Sequence, residues 1–184
     1  SWTIDPEHIV VEPASVATDT VDQKFWLVGG NERQQLLKDF ISNEKPQRAI
    51  IFANRRDQTH RLVTYLTKKG IQCEGLAGDI PQKKRLSTLN RFKEGKLQYL
   101  IATDVAGRGI HVDGVSHVIN FELPDDPEDY VHRIGRTGRA GADGVAISFG
   151  SEDDAFNLPA LEEYLGNEIK CVQPDDFDQH AAAE

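Results

Sequence analysis

Residues 132–139 read His-Arg-Ile-Gly-Arg-Thr-Gly-Arg, three arginines at intervals of three with glycines between them. In a helical turn Arg133, Arg136 and Arg139 project to one side, and Gly135 and Gly138 leave the backbone between them bare. Arginine keeps its charge and offers a planar fork that matches phosphate oxygens. A structural ion-pair network can also use arginines, but it has no need of bared backbone beside them. The spacing points to an anion met by His132, Arg133, Arg136 and Arg139.

Two further stretches carry chemistry. Residues 102–112, Ala-Thr-Asp-Val-Ala-Gly-Arg-Gly-Ile-His-Val, begin as an apolar strand ends. A glycine-flanked turn at Gly107–Arg108–Gly109 lets backbone N–H groups approach a phosphate, and Thr103 adds a hydroxyl donor. An ordinary loop with an Asp104–Arg108 ion pair reads equally well from the residues alone. In Gly-Asp-Ile-Pro-Gln-Lys-Lys-Arg (78–85), Gly78 ends a strand, Pro81 suits a first helical turn, and Gln82 and Arg85 share a face. A helix start beside Lys83, Lys84 and Arg85 suits a nucleic-acid backbone, and a solvated basic face accounts for it as well.

These stretches need elements to hold them. Short apolar runs at 48–53, 97–103, 116–122 and 144–150 are rich in β-branched and aromatic residues, and 71–77 is read as a further strand. Their length favours buried strands. Between them, Leu36, Leu37, Phe40 and Ile41 line one face of a helix at 31–43. Leu62, Val63 and Leu66 do so at 57–69, and Leu86, Leu89 and Phe92 at 81–94. Gly70 follows the second helix where a C-terminal glycine is expected. A further acidic helix is expected at 152–165, with Phe156, Leu158, Leu161, Tyr164 and Leu165. Strands alternating with helices imply an α/β domain with a mostly parallel sheet and helices on both faces, whose ligands gather at the carboxyl ends of the strands.

A net charge of -9 belongs to one end of the chain: residues 151–184 hold ten acidic residues against one basic, and the first 150 hold twenty of each. The body can therefore meet a polyanion through local patches. No apolar run approaches the roughly 20 residues that span a bilayer, so a soluble, cytoplasmic protein without a membrane segment is expected. Cys73 and Cys171 are too few and too unpatterned for a disulfide framework or a zinc site, and are expected as buried thiols.

In order and spacing, "AIIFAN", "PQKKR", "ATDVAGRGI" and "HRIGRTGR" resemble motifs IV, IVa, V and VI of the DEAD-box ATP-dependent RNA helicases. The resemblance covers about residues 20–172, and "GDIPQKKR" and "FELPDDPEDYVHRIGRTGRAGA" are most similar to its bacterial, RNA-degradosome-associated branch. It implies a RecA-like fold of the P-loop NTPase type. Such helicases have two RecA-like domains, and the first carries a GxxxxGK phosphate loop and an Asp-Glu-Ala-Asp box. Neither motif occurs in this sequence. The resemblance therefore implies the second, C-terminal domain at 21–172, after a linker at 1–20 and before an acidic, disordered tail at 173–184.

The same resemblance implies roles. Arg136 and Arg139 are expected to be arginine fingers for the γ-phosphate of ATP, with ATP and Mg²⁺ held mainly by the N-terminal domain and no metal site here. His132 and Arg133 link nucleotide state to domain closure. Asn54, Gly78, Gln82, Arg85 and Thr103 contact RNA, while Asp104 and Arg108 couple that surface to motif VI. Expected partners are RNA, the N-terminal RecA-like domain, and, if the domain also serves as an interaction module, an endoribonuclease scaffold of the RNA degradosome.

At two positions the chain departs from the family. His111 stands where an aspartate usually binds the ATP ribose, and Ala77 stands where a histidine usually precedes the Gly-Asp pair. An imidazole bonds a hydroxyl without the double acceptance of a carboxylate. In a two-domain enzyme, His111→Asp is expected to lower the KM for ATP by up to about tenfold, the gain from a neutral to a charge-assisted hydrogen bond. An unchanged KM in a steady-state ATPase assay means that position 111 does not face the ribose.

Overall fold

A computed structural model describes residues 21–104, 115–137 and 144–172. Arg108, His111 and Arg139, with the expected linker and tail, lie outside the described residues. The strands are β1 (Val21–Leu27), β2 (Ala49–Phe52), β3 (Glu74–Leu76), β4 (Tyr99–Ala102), β5 (His117–Asn120), β6 (Gly144–Gly150) and β7 (Lys170–Val172). The helices are α1 (Arg33–Glu44), α2 (Arg56–Lys68), α3 (Gln82–Lys93), α4 (Pro127–Ile134), α5 (Glu152–Phe156) and α6 (Leu158–Leu165).

The strands form one sheet in the order β3-β4-β2-β5-β6-β1-β7, with every pair parallel. All their carboxyl ends therefore share one edge. Because successive side chains point to opposite faces, an apolar run in a doubly covered strand feeds two cores. Ile50, Phe52, Leu100, Ala102 and Val118 pack with Phe92 of α3, Tyr130 and Ile134 of α4, and Leu158 and Leu165 of α6. Ile51, Ile101, Ile119 and Ile147 pack on the other face with Leu37 and Phe40 of α1 and Leu62 and Leu66 of α2. Full burial of side chains this size contributes roughly 1.5–3 kcal/mol each. Among the described residues, no helix is long and apolar enough to cross a membrane.

Three features differ from the sequence-based expectations. The acidic stretch forms two helices that meet at Asn157, with Pro159 in the first turn of α6; proline's missing N–H is tolerated there and nowhere further in. Leu158 and Leu165 are buried, whereas Phe156 is 83% and Tyr164 46% exposed. Cys171 is exposed on the edge strand β7, and only Cys73 is buried. The sheet also gains β1 and β7, which the apolar runs did not announce: β1 alternates with a buried Gln23, and β7 is three residues long.

Gly150, at the end of β6, shows how tightly the carboxyl edge is built. A Cβ there meets the Phe25 ring at 2.7 Å and Asp154 Oδ2 at 2.7 Å. Phe25 is fully buried, and Asp154 caps α5 by accepting from the Ser151 backbone N–H at 2.9 Å. Gly150→Ala is expected to destabilise the chain by about 1–3 kcal/mol, as overpacking does, read as a lower denaturation midpoint with an unchanged urea m-value.

Candidate active site at the carboxyl edge

The carboxyl ends of β2, β4 and β5 converge on Arg133, which enters from α4. Asp126 caps that helix by accepting the Glu128 N–H at 2.9 Å, Pro127 opens it, and Tyr130, Arg133 and Ile134 form its buried face. Arg133 is 1% exposed. Its Nε and Nη2 donate to Asp104 Oδ1 and Oδ2, each at 2.6 Å, a bidentate pair just past β4. Nη1 donates to Asn120 Oδ1 at 3.1 Å and to the Glu122 carbonyl at 2.7 Å. Nη2 also donates to Asn54 Oδ1 at 2.7 Å, and the guanidinium carbon stands 5.2 Å from the Phe52 ring centroid. A guanidinium has five N–H donors, and all five are engaged inside the domain.

That geometry corrects the picture of three arginines on one face. The helix ends at Ile134, Gly135 caps it, and Arg136 lies in the turn beyond. Arg133 points inward and has no donor left for a nucleotide. His132, on the opposite side, is exposed and lies 4.0 Å from Glu128 Oε1, one turn earlier. Arg136 is half-buried in a turn pinned on both sides. Behind it stands the Arg133 fork; ahead, Thr137 is buried, its hydroxyl donates to the Val115 carbonyl, and it forms a parallel bridge with Val115.

The residues expected at RNA divide into two groups. Asn54 and Thr103 sit beside the Arg133 cluster. Asn54 donates from Nδ2 to the Leu123 carbonyl and from its backbone to Glu122 Oε1, both at 3.0 Å, so its amide is shared with the fold. Thr103 is buried, with its N–H on the Leu76 carbonyl at 3.3 Å. Gly78, Gln82 and Arg85 lie past the end of β3 and in the first turn of α3. Gly78 and Gln82 are exposed, Arg85 is half-buried, and a Cβ on Gly78 meets open space. Two ties hold this second group in place. His60 on α2 lies 3.2 Å from Asp79. The Arg91 guanidinium of α3 grips Glu74 of β3, with Nη2 at 2.5 Å from Oε1, and holds that carboxyl below the usual carboxylate range; the Thr88 hydroxyl adds to the effect.

Sequence reasoning missed Asn120, Glu122 and Ser148, although a signal was present. Asn120 and Ser148 interrupt otherwise apolar parallel strands, and a buried polar side chain in such a strand demands a partner. They are partners to each other, Asn120 Nδ2 donating to Ser148 Oγ at 3.0 Å. Among the described residues, no three or more His, Cys, Asp or Glu side chains converge as a metal site.

A doubly covered parallel sheet that holds its polar cluster at the carboxyl edge, beneath an arginine-bearing turn, is a RecA-like domain. The chain belongs to the helicase family whose model, described as the helicase conserved C-terminal domain, matches residues 32–141, and it is a C-terminal helicase domain of the DEAD-box class. It is similar to the ATP-dependent RNA helicase RhlB of Pseudomonas aeruginosa, at 55% identity over 173 residues, covering 94% of this chain and 44% of that protein. The RhlB of Pseudomonas syringae pv. tomato is 53% identical over the same shares. The chain thus spans less than half the length of these curated relatives. Among solved structures, S. cerevisiae Dbp5 bound to RNA and ADP BeF3 superposes with a TM-score of 0.81 at 33% identity, over 90% of this chain and 44% of that one. E. coli SrmB, bound to regulator of ribonuclease activity A, gives 0.76 at 36% identity, over 83% and 90%.

Removing Arg133 leaves Asp104, Asn120 and Asn54 facing one another without their donor. Arg133→Met is expected to cost about 3 kcal/mol, the lower end for breaking a buried ion pair because Asp104 keeps some contact with water. Arg133→Lys should recover little, since an ammonium cannot reproduce a planar five-donor fork. Urea denaturation of both variants measures this, and near-native stability of the lysine variant contradicts the need for the fork.

Proposed function

We propose that residues 21–172 act as the C-terminal RecA-like half of an ATP-dependent RNA helicase, between a linker at 1–20 and an acidic tail at 173–184. The observation that carries this reading is the fully engaged Arg133 fork, which ties the Asp104 end of β4 to the turn holding Arg136. In this reading Arg136 and Arg139 meet the γ-phosphate of an ATP presented by an N-terminal domain. Fixed cations there stabilise charge that develops on the transferring phosphoryl group. His132, exposed on α4, faces the partner domain, and His111 serves the ribose. Magnesium is assigned to the N-terminal domain.

RNA is assigned to the carboxyl edge, past the end of β3. The exposed start of α3 offers Gln82, Arg85 and the open backbone at Gly78, with Lys83 and Lys84 adding charge. Thr103 and Asn54 extend this surface, and Asp104, with Arg108, links it to the arginine turn because Thr103 and Asp104 are neighbours in the chain. Closure of two domains on ATP and RNA then bends the strand and separates a short duplex.

A second reading, an interaction module for an endoribonuclease scaffold, is favoured by one surface. Phe156 and Tyr164 are exposed among Glu152, Asp153, Glu162 and Glu163, beside a groove of about 300 Å³ lined by Leu123, Pro127, Leu158 and Leu161. An arginine-rich segment with apolar anchors matches that chemistry. Retention of this chain on such a segment, lost in Phe156→Glu, supports it.

The principal test separates the chain from the two-domain enzyme. The chain alone should not hydrolyse ATP, and joined to an N-terminal helicase domain it should do so with RNA present. Arg136→Ala or Arg139→Ala should then lower turnover by about 10³–10⁵, as loss of an arginine finger does, with little change in nucleotide affinity. The double variant should lose less than the product of the singles if both act on one phosphoryl group. Normal turnover by either single variant, or ATPase activity of the lone chain, overturns the reading.

A further inference from the structure

Tyr130 and Arg133 stand one turn apart on the inward face of α4, and each is 1% exposed. Arg133 reaches the ends of the central strands; Tyr130 reaches the other way, across the sheet. Its hydroxyl donates to Gln23 Oε1 of β1 at 2.8 Å, joining residues 107 positions apart. Ser148 of β6 faces the Tyr130 hydroxyl, where its proton favours the phenol oxygen, and Asn120 Nδ2 donates to Ser148 Oγ at 3.0 Å. Asn120 Oδ1 in turn accepts from Arg133.

The donors in this chain all point the same way. Gln23 Oε1 can only accept, so the phenol proton goes to Gln23, and Ser148 must then donate to the phenol oxygen. Asn120 donates to Ser148, and Arg133 donates to Asn120. The result is a buried, polarised run from a cation on β4's edge to a carboxamide on β1, in which each bond strengthens the next. Burial pushes the Tyr130 phenol far above its ordinary range, which favours the protonated donor.

Apolar side chains could fill this volume at lower desolvation cost. What hydrogen bonds add is direction. An eight-residue helix holds no fixed orientation by itself. The Arg133 fork ties its last turn to the strand ends, and Tyr130 adds a second polar anchor one turn earlier, so the two together define the angle of α4. We propose that Gln23, Tyr130 and Ser148 are positioning residues for the Arg136 turn, fixing the angle of α4 through a directed hydrogen-bond chain that runs from β1 to Arg133. The proposal rests on the assignment of Arg136 as a finger.

The test compares Tyr130→Phe, Gln23→Leu and the double variant. In this chain, amide hydrogen exchange should rise in each single variant at 130–137 and stay unchanged in α1. In the two-domain helicase with saturating RNA, each single variant should lower kcat at least tenfold, as small misplacements of catalytic groups do, with nucleotide Kd unchanged. The double variant removes both partners of the Tyr130–Gln23 bond and leaves only the Ser148 hydroxyl proton without its acceptor, so it should regain part of the lost melting temperature, yet its kcat should stay low. Recovery of kcat together with melting temperature, or wild-type kcat in the single variants, overturns the proposal. If Gln23→Leu does not fold, Ser148→Ala breaks the chain at its middle and is read the same way. Arg136→Ala runs alongside: if it is inactive while Tyr130→Phe is normal, positioning alone fails, and if it turns over normally, the finger assignment fails and takes this proposal with it.

Discussion

A guanidinium in a protein interior is costly unless its charge and every one of its N–H groups are matched. Arg133 meets both demands at once: one carboxylate takes two donors in a parallel fork, and two side-chain amides and a main-chain carbonyl take the other three. The consequence extends beyond one residue. Because those acceptors sit past the ends of three different strands, β2, β4 and β5 must end in fixed relation to one another for the cation to be buried at all. The apolar faces of the sheet supply most of the free energy of folding, but they would tolerate small slides between helix and strand. The arginine does not.

From that constraint the arrangement of the edge follows. Thr103 and Asp104 are consecutive, and Asp104 is tied to α4 through two short bonds to Arg133. On the outer side, Glu74 and Arg91 lock α3 to β3, which pairs with β4. A nucleic-acid surface at the start of α3 and a phosphate-facing turn after α4 would thus be parts of one stiff body. Such a body suits a domain that must swing as a unit against a partner.

How much of this could be read from the chain itself depended on whether a signal was local. The apolar runs at 144–150 and 48–53 mark β6 and β2 because a strand covered on both faces has little choice of composition. Gly70, with its positive φ of 86°, ends α2 where expected. The arginines of 133–139 were visible as chemistry but not as geometry, because spacing cannot tell that a helix stops at Ile134 and turns one arginine inward. Asn120 and Ser148 were hidden for a different reason: their partners come from distant segments. β1 escaped because Gln23 breaks its apolar pattern, and the break is accounted for only by Tyr130, over a hundred residues later.

The position of β1 in the sheet also has a kinetic side. Among the described residues it is the first strand, yet its neighbours are β6 and β7, with Val21 opposite Gly144. During synthesis at about 5–20 residues per second, β1 is made roughly 6–25 seconds before β6. The strands β2 to β5 can assemble in that interval, since each finds its partner among segments already present. β1 cannot, and it carries Phe25 and Trp26, both buried in the finished sheet. Closing this side of the sheet therefore depends on a high-contact-order pairing, between segments more than a hundred residues apart.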